Sequence, residues 1–425
     1  MSLIKVLVCS ALSTFVKIIV GFIIIKLLAI AFGPSGVGLA GNLRQLLTIL
    51  GVLSGGGIFN GVTKYVAEYS KDKIKLYAVL GTASSIVFIF SIFLAIIFLL
   101  INNFISILIF NNEDYSSVIC IVAVIQIGIA YSNFFLAILK GYRDISGNTQ
   151  SVIISSLLGI TIYYLFYKLC NYKWLLTGLT FIPSLVVLPA ILIIIRRKYF
   201  ELSAFKLSWN KQVVIDLSKF TVMSILTSVT LPVAYIMIRN LLAECYGWNE
   251  AGLWSAINSI SDVYLQFVTT SFSVYLLSTF SRLKYKNEIS KEIIKTLKYV
   301  LPIVAAIGFI IWLFRDFIIL LLFSEKFIKM RDLFALQLVG DILKIGSYVF
   351  GYLIIAKAAL FFYFATELSQ FILLTSFSRY LINIHGLLGA MQAYVITYII
   401  YFVFCCCVFL FIVEKYDYFN TCIRV

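Results

Sequence analysis

The stretch Leu76–Asn112 reads LYAVLGTASSIVFIFSIFLAIIFLLINNFISILIFNN and carries no ionisable acid or base along its length. A helix rises about 1.5 Å per residue, so roughly 20 apolar residues cross the hydrocarbon core of a bilayer. This run exceeds that length, and a soluble core helix would be shorter. Tyr115–Leu139, Ile145–Tyr167, Trp174–Ile195 and Gly386–Val413 are charge-free in the same way. The 425 residues are 62% hydrophobic, 16% aromatic and only 12% charged, with a mean hydropathy of +1.03. That composition lies far outside the soluble average and places the chain in a membrane.

The same reading of the other apolar stretches predicts about twelve spans, beginning near residues 4, 37, 77, 116, 150, 172, 216, 251, 296, 333, 360 and 386. Period-2 alternation is absent and each run is too long for a barrel strand, so the spans read as helices. The expected class is an all-α polytopic membrane protein in an inner bacterial-type or eukaryotic membrane. Met1–Ser10, with a single lysine ahead of Cys9, makes a poor leader and reads as part of the first span. The longest polar connection, about Arg196–Ile215, is too short to fold alone. No G-x-x-x-x-G-K-[ST] phosphate loop is present, so ATP hydrolysis would have to come from a partner.

Lysines and arginines sort between alternate connections. One side gathers Lys64, Lys71, Lys73, Lys75, Lys140, Arg143, Arg196, Arg197, Lys198, Lys206, Lys211, Lys219, Arg282, Lys284, Lys286, Lys291, Lys295 and Lys298. The other holds Lys168, Lys173, Lys326, Lys329 and Arg331. Positively charged loops stay cytoplasmic, which puts both termini inside. The net charge of +15 then reflects topology and attraction to anionic lipid, and nucleic acid is not implied.

Leu27–Leu39, with Gly33 and Gly38, recurs as Leu241–Leu253, with Gly247 and Gly252, half a chain later. Lys5 meets Lys219 at the same offset. An even number of spans per half makes the halves parallel repeats about an axis along the membrane normal. The expected organisation is an N-terminal six-helix lobe over residues 1–200, a cytoplasmic linker over 201–215 and a C-terminal six-helix lobe over 216–425, with substrate between the lobes.

Seven bases remain inside spans: Lys17, Lys26, Arg44, Arg239, Arg315, Lys344 and Arg379, against Asp262, Asp341 and Glu367. An ionised side chain at the bilayer centre costs roughly 2.5 to 3.5 kcal/mol on the insertion scale, so these groups need water or a partner. The basic surplus suits a cavity that receives negative charge from an anionic cargo. Lys26, Arg315 and Arg379 lie near span ends, where long side chains also snorkel. Asp341 and Lys344 stand three residues apart, so mutual pairing is an equal reading. Lys17 and Arg44 share their faces with Ser10, Ser13, Thr14 and Thr48, and no acid stands three or four residues from Lys17, Arg44 or Arg239. Polar seams run through Ser255, Asn258, Asp262 and Gln266, through Gln337, Asp341 and Lys344, and through Tyr363, Glu367 and Gln370. A seam serves either helix–helix hydrogen bonding or a polar cavity with a coupling role for Asp262, Gln266, Asp341 or Glu367. Pro232, Pro34 with Gly33, and Gly51, Gly55, Gly56, Gly57 and Gly61 allow close packing or bending.

Catalysis has no visible machinery: His385 has no acid near it in sequence, and no nucleophile motif occurs. Cys9, Cys120 and Cys405–Cys407 lie in apolar helix with neither metal nor disulfide spacing, so no cofactor is expected.

The stretches that carry a family likeness are Phe32–Leu46, Gly57–Tyr69, Ile260–Phe267 with Ser271–Leu277, and Arg331–Asp341. Through them the chain resembles, over nearly its full length, the Wzx lipid-linked oligosaccharide flippases of the multidrug/oligosaccharidyl-lipid/polysaccharide (MOP) exporter superfamily, in the branch that serves enterobacterial common antigen. The resemblance implies a MOP/MATE-like fold of two six-helix lobes in the inner membrane. It implies transfer of an undecaprenyl-diphosphate trisaccharide, lipid III, to the periplasmic leaflet, beside a polymerase and a chain-length regulator. By position it gives the role of cavity cation to Lys17, Arg44 and Arg239. Flipping of another undecaprenyl-diphosphate glycan, such as an O-antigen unit, is the alternative. A cation-coupled drug exporter would need unpaired acids in place of bases, and a glycan polymerase a long outer loop.

Overall fold

The computed structural model describes residues 3–422 except 170, 198, 200, 284 and 358, and side chains from 11 to 411 apart from those positions, 202 and 274. The expectations placed on Lys5, Cys9, Ser10, Lys198, Lys284 and the tail from Glu414 lie outside that description.

Fourteen α-helices form the described chain: α1 (Leu3–Leu53), α2 (Phe59–Tyr69), α3 (Lys73–Leu100), α4 (Asn102–Phe110), α5 (Ser116–Gly141), α6 (Ile145–Lys168), α7 (Tyr172–Ser184), α8 (Val187–Arg197), α9 (Lys211–Tyr246), α10 (Trp248–Arg282), α11 (Lys286–Leu313), α12 (Arg315–Leu322), α13 (Phe334–Ala356) and α14 (Leu360–Cys422). No strand occurs among the described residues. Among the described residues ten helical runs are long and apolar enough to cross a membrane. Two of these runs break at a glycine: α1 at Gly33 (φ 65°, ψ −159°) and α14 at Gly386 (φ 59°, ψ −132°). Each broken run holds two spans, which recovers the twelve expected. Glycine is needed at both breaks because a side chain at positive φ clashes with the backbone. Pro34 then opens the second helix of α1, where a missing N–H carries no penalty.

The largest boundary difference is α11, which begins at Lys286 rather than near 296. Its first turns are charged, with Lys295 3.6 Å from Glu292, but Ile289 and Ile293 are buried. Hydropathy detects the part of a helix inside hydrocarbon, whereas the hydrogen-bonded helix continues into water.

The repeat is visible in the backbone. Gly33 and Gly247 both take positive φ, 65° and 87°. Helices α3 and α11 each run 28 residues. The short helices α4 and α12 follow them, and both pairs of starts are 213 residues apart.

Two compact units emerge: Met1–Phe32 with Leu39–Ile236, and Gly33–Gly38 with Met237–Val425. In the first, Val62 and Val66 of α2, Leu76 and Leu80 of α3, Phe134 and Ile138 of α5 and Ile194 of α8 share one apolar core. Gly56 and Gly57 turn the chain after α1 at positive φ, and the Thr221 hydroxyl donates to the Gly56 carbonyl at 2.8 Å. A Cβ on Gly57 would lie 3.0 Å from the Thr221 carbonyl, so the glycine cluster supplies both a turn and close packing. In the second unit a Cβ on Gly252 would fall 1.8 Å from the Pro34 carbonyl oxygen, and one on Gly38 would lie 3.1 Å from the Gly252 nitrogen. The repeated glycines therefore mark a helix crossing that tolerates no side chain.

The α5–α6 turn is fixed tightly. Asp144 caps α6 by accepting from the Gly147 amide at 2.9 Å. Its other oxygen accepts from the Tyr199 hydroxyl at 2.7 Å and faces Arg197 at 3.4 Å. Tyr142 stacks on Tyr199 with centroids 4.3 Å apart, and burial pushes the Tyr142 phenol up to about 12.

Candidate functional site

The first unit encloses a cavity of about 440 Å³. One wall is α1: Lys17, Val20, Gly21 and Ile24 recur at three to four residues, and Arg44, Leu47 and Thr48 do the same after the break. Ser132, Asn133 and Leu136 of α5, Val152, Ser155 and Ser156 of α6, and Leu179, Ile182 and Pro183 of α7 with Val186 complete it.

Lys17 and Arg44 are the only charged residues in this lining. Neither makes a side-chain hydrogen bond or ion pair among the described residues. The hydroxyls around them are held by the backbone. Ser132 donates to the Ser184 carbonyl at 3.0 Å, Thr48 to the Arg44 carbonyl at 2.9 Å, and Ser156 to the Val152 carbonyl at 2.7 Å. The Asn133 amide donates to the Gly51 carbonyl at 2.7 Å, which leaves its side-chain oxygen as a further acceptor. The chamber can therefore attract an anion and offer fixed polar groups to hydroxyls, with apolar surface between them.

Arg239 belongs to the second unit and is not among the residues lining this cavity. It is 3% exposed, its Nε donates to the Ser255 hydroxyl at 2.5 Å, and its guanidinium lies 5.2 Å from the Trp254 ring centre. Ser255 is the first residue of the predicted α10 seam. Further along that seam Asp262 and Gln266 are exposed, and Asp262 lies within electrostatic reach of Lys344, Asp341 and Arg239.

Asp341 on α13 is fully buried and saturated with donors. The hydroxyls of Ser261 and Tyr264 both donate to its Oδ2 at 2.6 Å, and Tyr394 donates to Oδ1 at 2.7 Å. The Gln337 amide approaches Oδ1 at 3.3 Å. Lys344 lies 6.0, 5.8 and 5.7 Å from the ring centres of Tyr348, Tyr394 and Tyr398. Gln370 donates to the Tyr398 hydroxyl at 2.6 Å, and Glu367 lies near Tyr348 and Tyr401. Asp341 and Lys344, three residues apart on α13, thus both belong to one polar network.

Sequence periodicity marks only some of the tyrosines of this network. Tyr394, Tyr398 and Tyr401 recur at helical spacing, a detectable stripe, but Tyr264 has no such mark among 26 tyrosines. At the span ends, Arg315 donates to the Trp312 carbonyl at 2.8 Å and stacks on the Trp312 ring, and Arg379 is exposed. Cys120, Cys245 and Cys405–Cys407 are free thiols.

The family described as "Polysaccharide biosynthesis protein" matches residues 3–284. The chain belongs to that family. Within it, the proteins named lipid III flippase of Escherichia coli (strain K12) and of Shigella flexneri are each 55% identical over 410 residues, covering 96% of this chain and 99% of the relative. These relatives of the family member are transporters by name, not enzymes. Among solved structures, an inward-facing MATE family transporter of the MOP superfamily aligns with a TM-score of 0.75 at 14% identity, over 94% of this chain and 96% of the other. The outward-facing conformation of such a transporter gives 0.67 at 14% identity, over 97% and 96%. A MOP superfamily transporter from Pyrococcus furiosus, for which a reversed pocket polarity suggested a different function, gives 0.65 at 13% identity, over 93% and 95%. The chain is a multi-pass membrane protein with the MOP/MATE fold.

Proposed function

We propose that this chain is a lipid III flippase, carrying an undecaprenyl-diphosphate-linked trisaccharide from the cytoplasmic to the periplasmic leaflet of the bacterial inner membrane, with both termini in the cytoplasm. The observation that carries this reading is the pairing of Lys17 and Arg44, without any acid, on one cavity. The shared length and 55% identity with proteins of that name support the choice of cargo.

In this mechanism the diphosphate enters between Lys17 and Arg44 while the polyprenyl tail stays in lipid. Arginine suits the task because its planar fork donates two hydrogen bonds to one phosphate. A volume of about 440 Å³ lies low in the small-ligand range, so this chamber takes the diphosphate and the adjoining sugar rather than the whole head group. Two lobes, residues 1–200 and 216–425 joined by the linker 201–215, then rock to alternate access; the recurrence of a 28-residue helix and a short following helix in each half supports a two-lobe plan. Arg239 serves as the cation of the C-terminal lobe. Asp262, Gln266, Asp341 and Glu367 supply polar or coupling groups there. The flipped product is consumed by a polymerase working with a chain-length regulator. A drug exporter for cationic cargo would need acids on the chamber wall, and none of its lining residues is acidic.

Arg44→Ala and Arg239→Ala variants that insert normally are expected to lower lipid III translocation about 10- to 100-fold, the worth of a charge-assisted hydrogen bond. Full translocation by both overturns the assignment. Rescue of a strain lacking an O-antigen flippase, but not of one lacking the lipid III flippase, would move the cargo to the other glycan.

A further inference from the structure

Lys140 was grouped by sequence with the loop charges that set topology, and its position in the fold gives it another task. It lies on α5 four residues beyond Leu136 and seven beyond Asn133, both of which line the cavity, so it continues the cavity face by one turn. It is exposed, within electrostatic range of Lys17, and like Lys17 makes no side-chain hydrogen bond or ion pair among the described residues. Two other bases of this unit are committed: Arg197 faces Asp144, and Lys75 faces Asp72. The Lys140 backbone is also held in place. Its carbonyl accepts from the Arg143 amide at 2.9 Å, beside the turn fixed by Asp144, Tyr142 and Tyr199.

We propose that Lys140 is the mouth cation of the chamber, capturing the diphosphate of the polyprenyl substrate before it passes to Lys17 and Arg44. Two neighbouring lysines with no acid between them repel each other, and a dianionic group lodged between them converts that repulsion into attraction. The order is Lys140, outside the lining, then the exposed Lys17 and the half-buried Arg44, both of which line the chamber. This arrangement separates roles. A rim charge governs capture rate and salt dependence, whereas a wall charge governs retention. The inference rests on the flippase reading, and it concerns a phosphate-bearing lipid; an anionic phospholipid head group presents similar chemistry at the same place.

The test uses the full chain in nanodiscs, with farnesyl diphosphate as a soluble probe and translocation of the labelled undecaprenyl-diphosphate trisaccharide as the second readout. Lys140→Ala is expected to slow probe association about five- to tenfold, reduce its dependence on salt, and raise the apparent KM with little change in maximal rate. Lys140→Arg is expected to restore all three, and Lys75→Ala to leave them unchanged. Unaltered association in Lys140→Ala overturns the proposal, as does failure of the arginine variant to restore it. An equal loss in Lys75→Ala would show a general surface field and also overturn it. Repetition in phosphatidylcholine and phosphatidylglycerol nanodiscs separates the sources: if phosphatidylglycerol abolishes the probe's advantage at Lys140, the site belongs to membrane phospholipid and the proposal fails. If Lys17→Ala and Arg44→Ala both transport normally, the cavity assignment within the flippase reading fails first. If only those two are impaired, it stands and the role of Lys140 falls.

Discussion

The two units put their charged residues to opposite ends. In the first, Lys17 and Arg44 face a cavity with no side-chain hydrogen bond or ion pair among the described residues. In the second, Arg239 is bonded to Ser255 and stacked on Trp254, Asp341 accepts three hydroxyl hydrogen bonds, and Lys344 is surrounded by tyrosine rings. The helix pattern is similar in both. A cation at a cavity with no side-chain hydrogen bond or ion pair has an interaction to gain from a bound anion. A charge already satisfied by the fold gains little from a ligand and instead fixes helix packing. Under the proposed function, Lys17 and Arg44 supply the cargo cations of the first unit and Arg239 that of the second, while the network around Asp341 holds the helices of the second unit together.

The sharpest way to break this comparison is Asp341→Ala, which strands three hydroxyl donors and leaves Lys344 without its nearest acid on α13. A loss of about 3 kcal/mol or more in unfolding stability is expected, measured by thermal unfolding in detergent. Full stability would mean the network is not structural. Tyr394→Phe keeps the ring but removes one of the donors, and should lower stability by about 1 kcal/mol. A transport defect without a stability defect in this variant would instead turn the network into working machinery. The smallest effect is expected at Arg379, which is exposed near a span end: Arg379→Gln should leave the melting temperature and translocation unchanged. A large transport loss there would add a cation that snorkelling does not explain.

Much of the architecture was readable in one dimension because a bilayer punishes unsatisfied backbone and exposed charge so heavily that spans declare themselves. Leu76–Asn112 identified its class without any tertiary information. The recurrence of Leu27–Leu39 as Leu241–Leu253 pointed to duplication, and its glycines Gly33 and Gly247 both take positive φ. Lys17 and Arg44 stood out as bases without local acids, and the chamber does bring them together. Arg239 looked the same in sequence, but its partner Ser255 lies on the next helix, beyond a three- or four-residue window. Lys140 was hidden for the complementary reason: at the end of a span, a cation that sets topology and one that faces a cavity have identical neighbours in the chain.

The sequence by itself therefore determined the membrane class, the number of spans, the duplication and the basic surplus, since each follows from local hydropathy, backbone sterics or composition. Only the tertiary structure decided which bases are left unpaired and which are absorbed. That outcome depends on side chains from helices far apart in sequence, on hydroxyls such as those of Tyr264 and Tyr394, whose direction no periodicity encodes, and on glycine contacts such as Gly38 with Gly252 that let those helices meet.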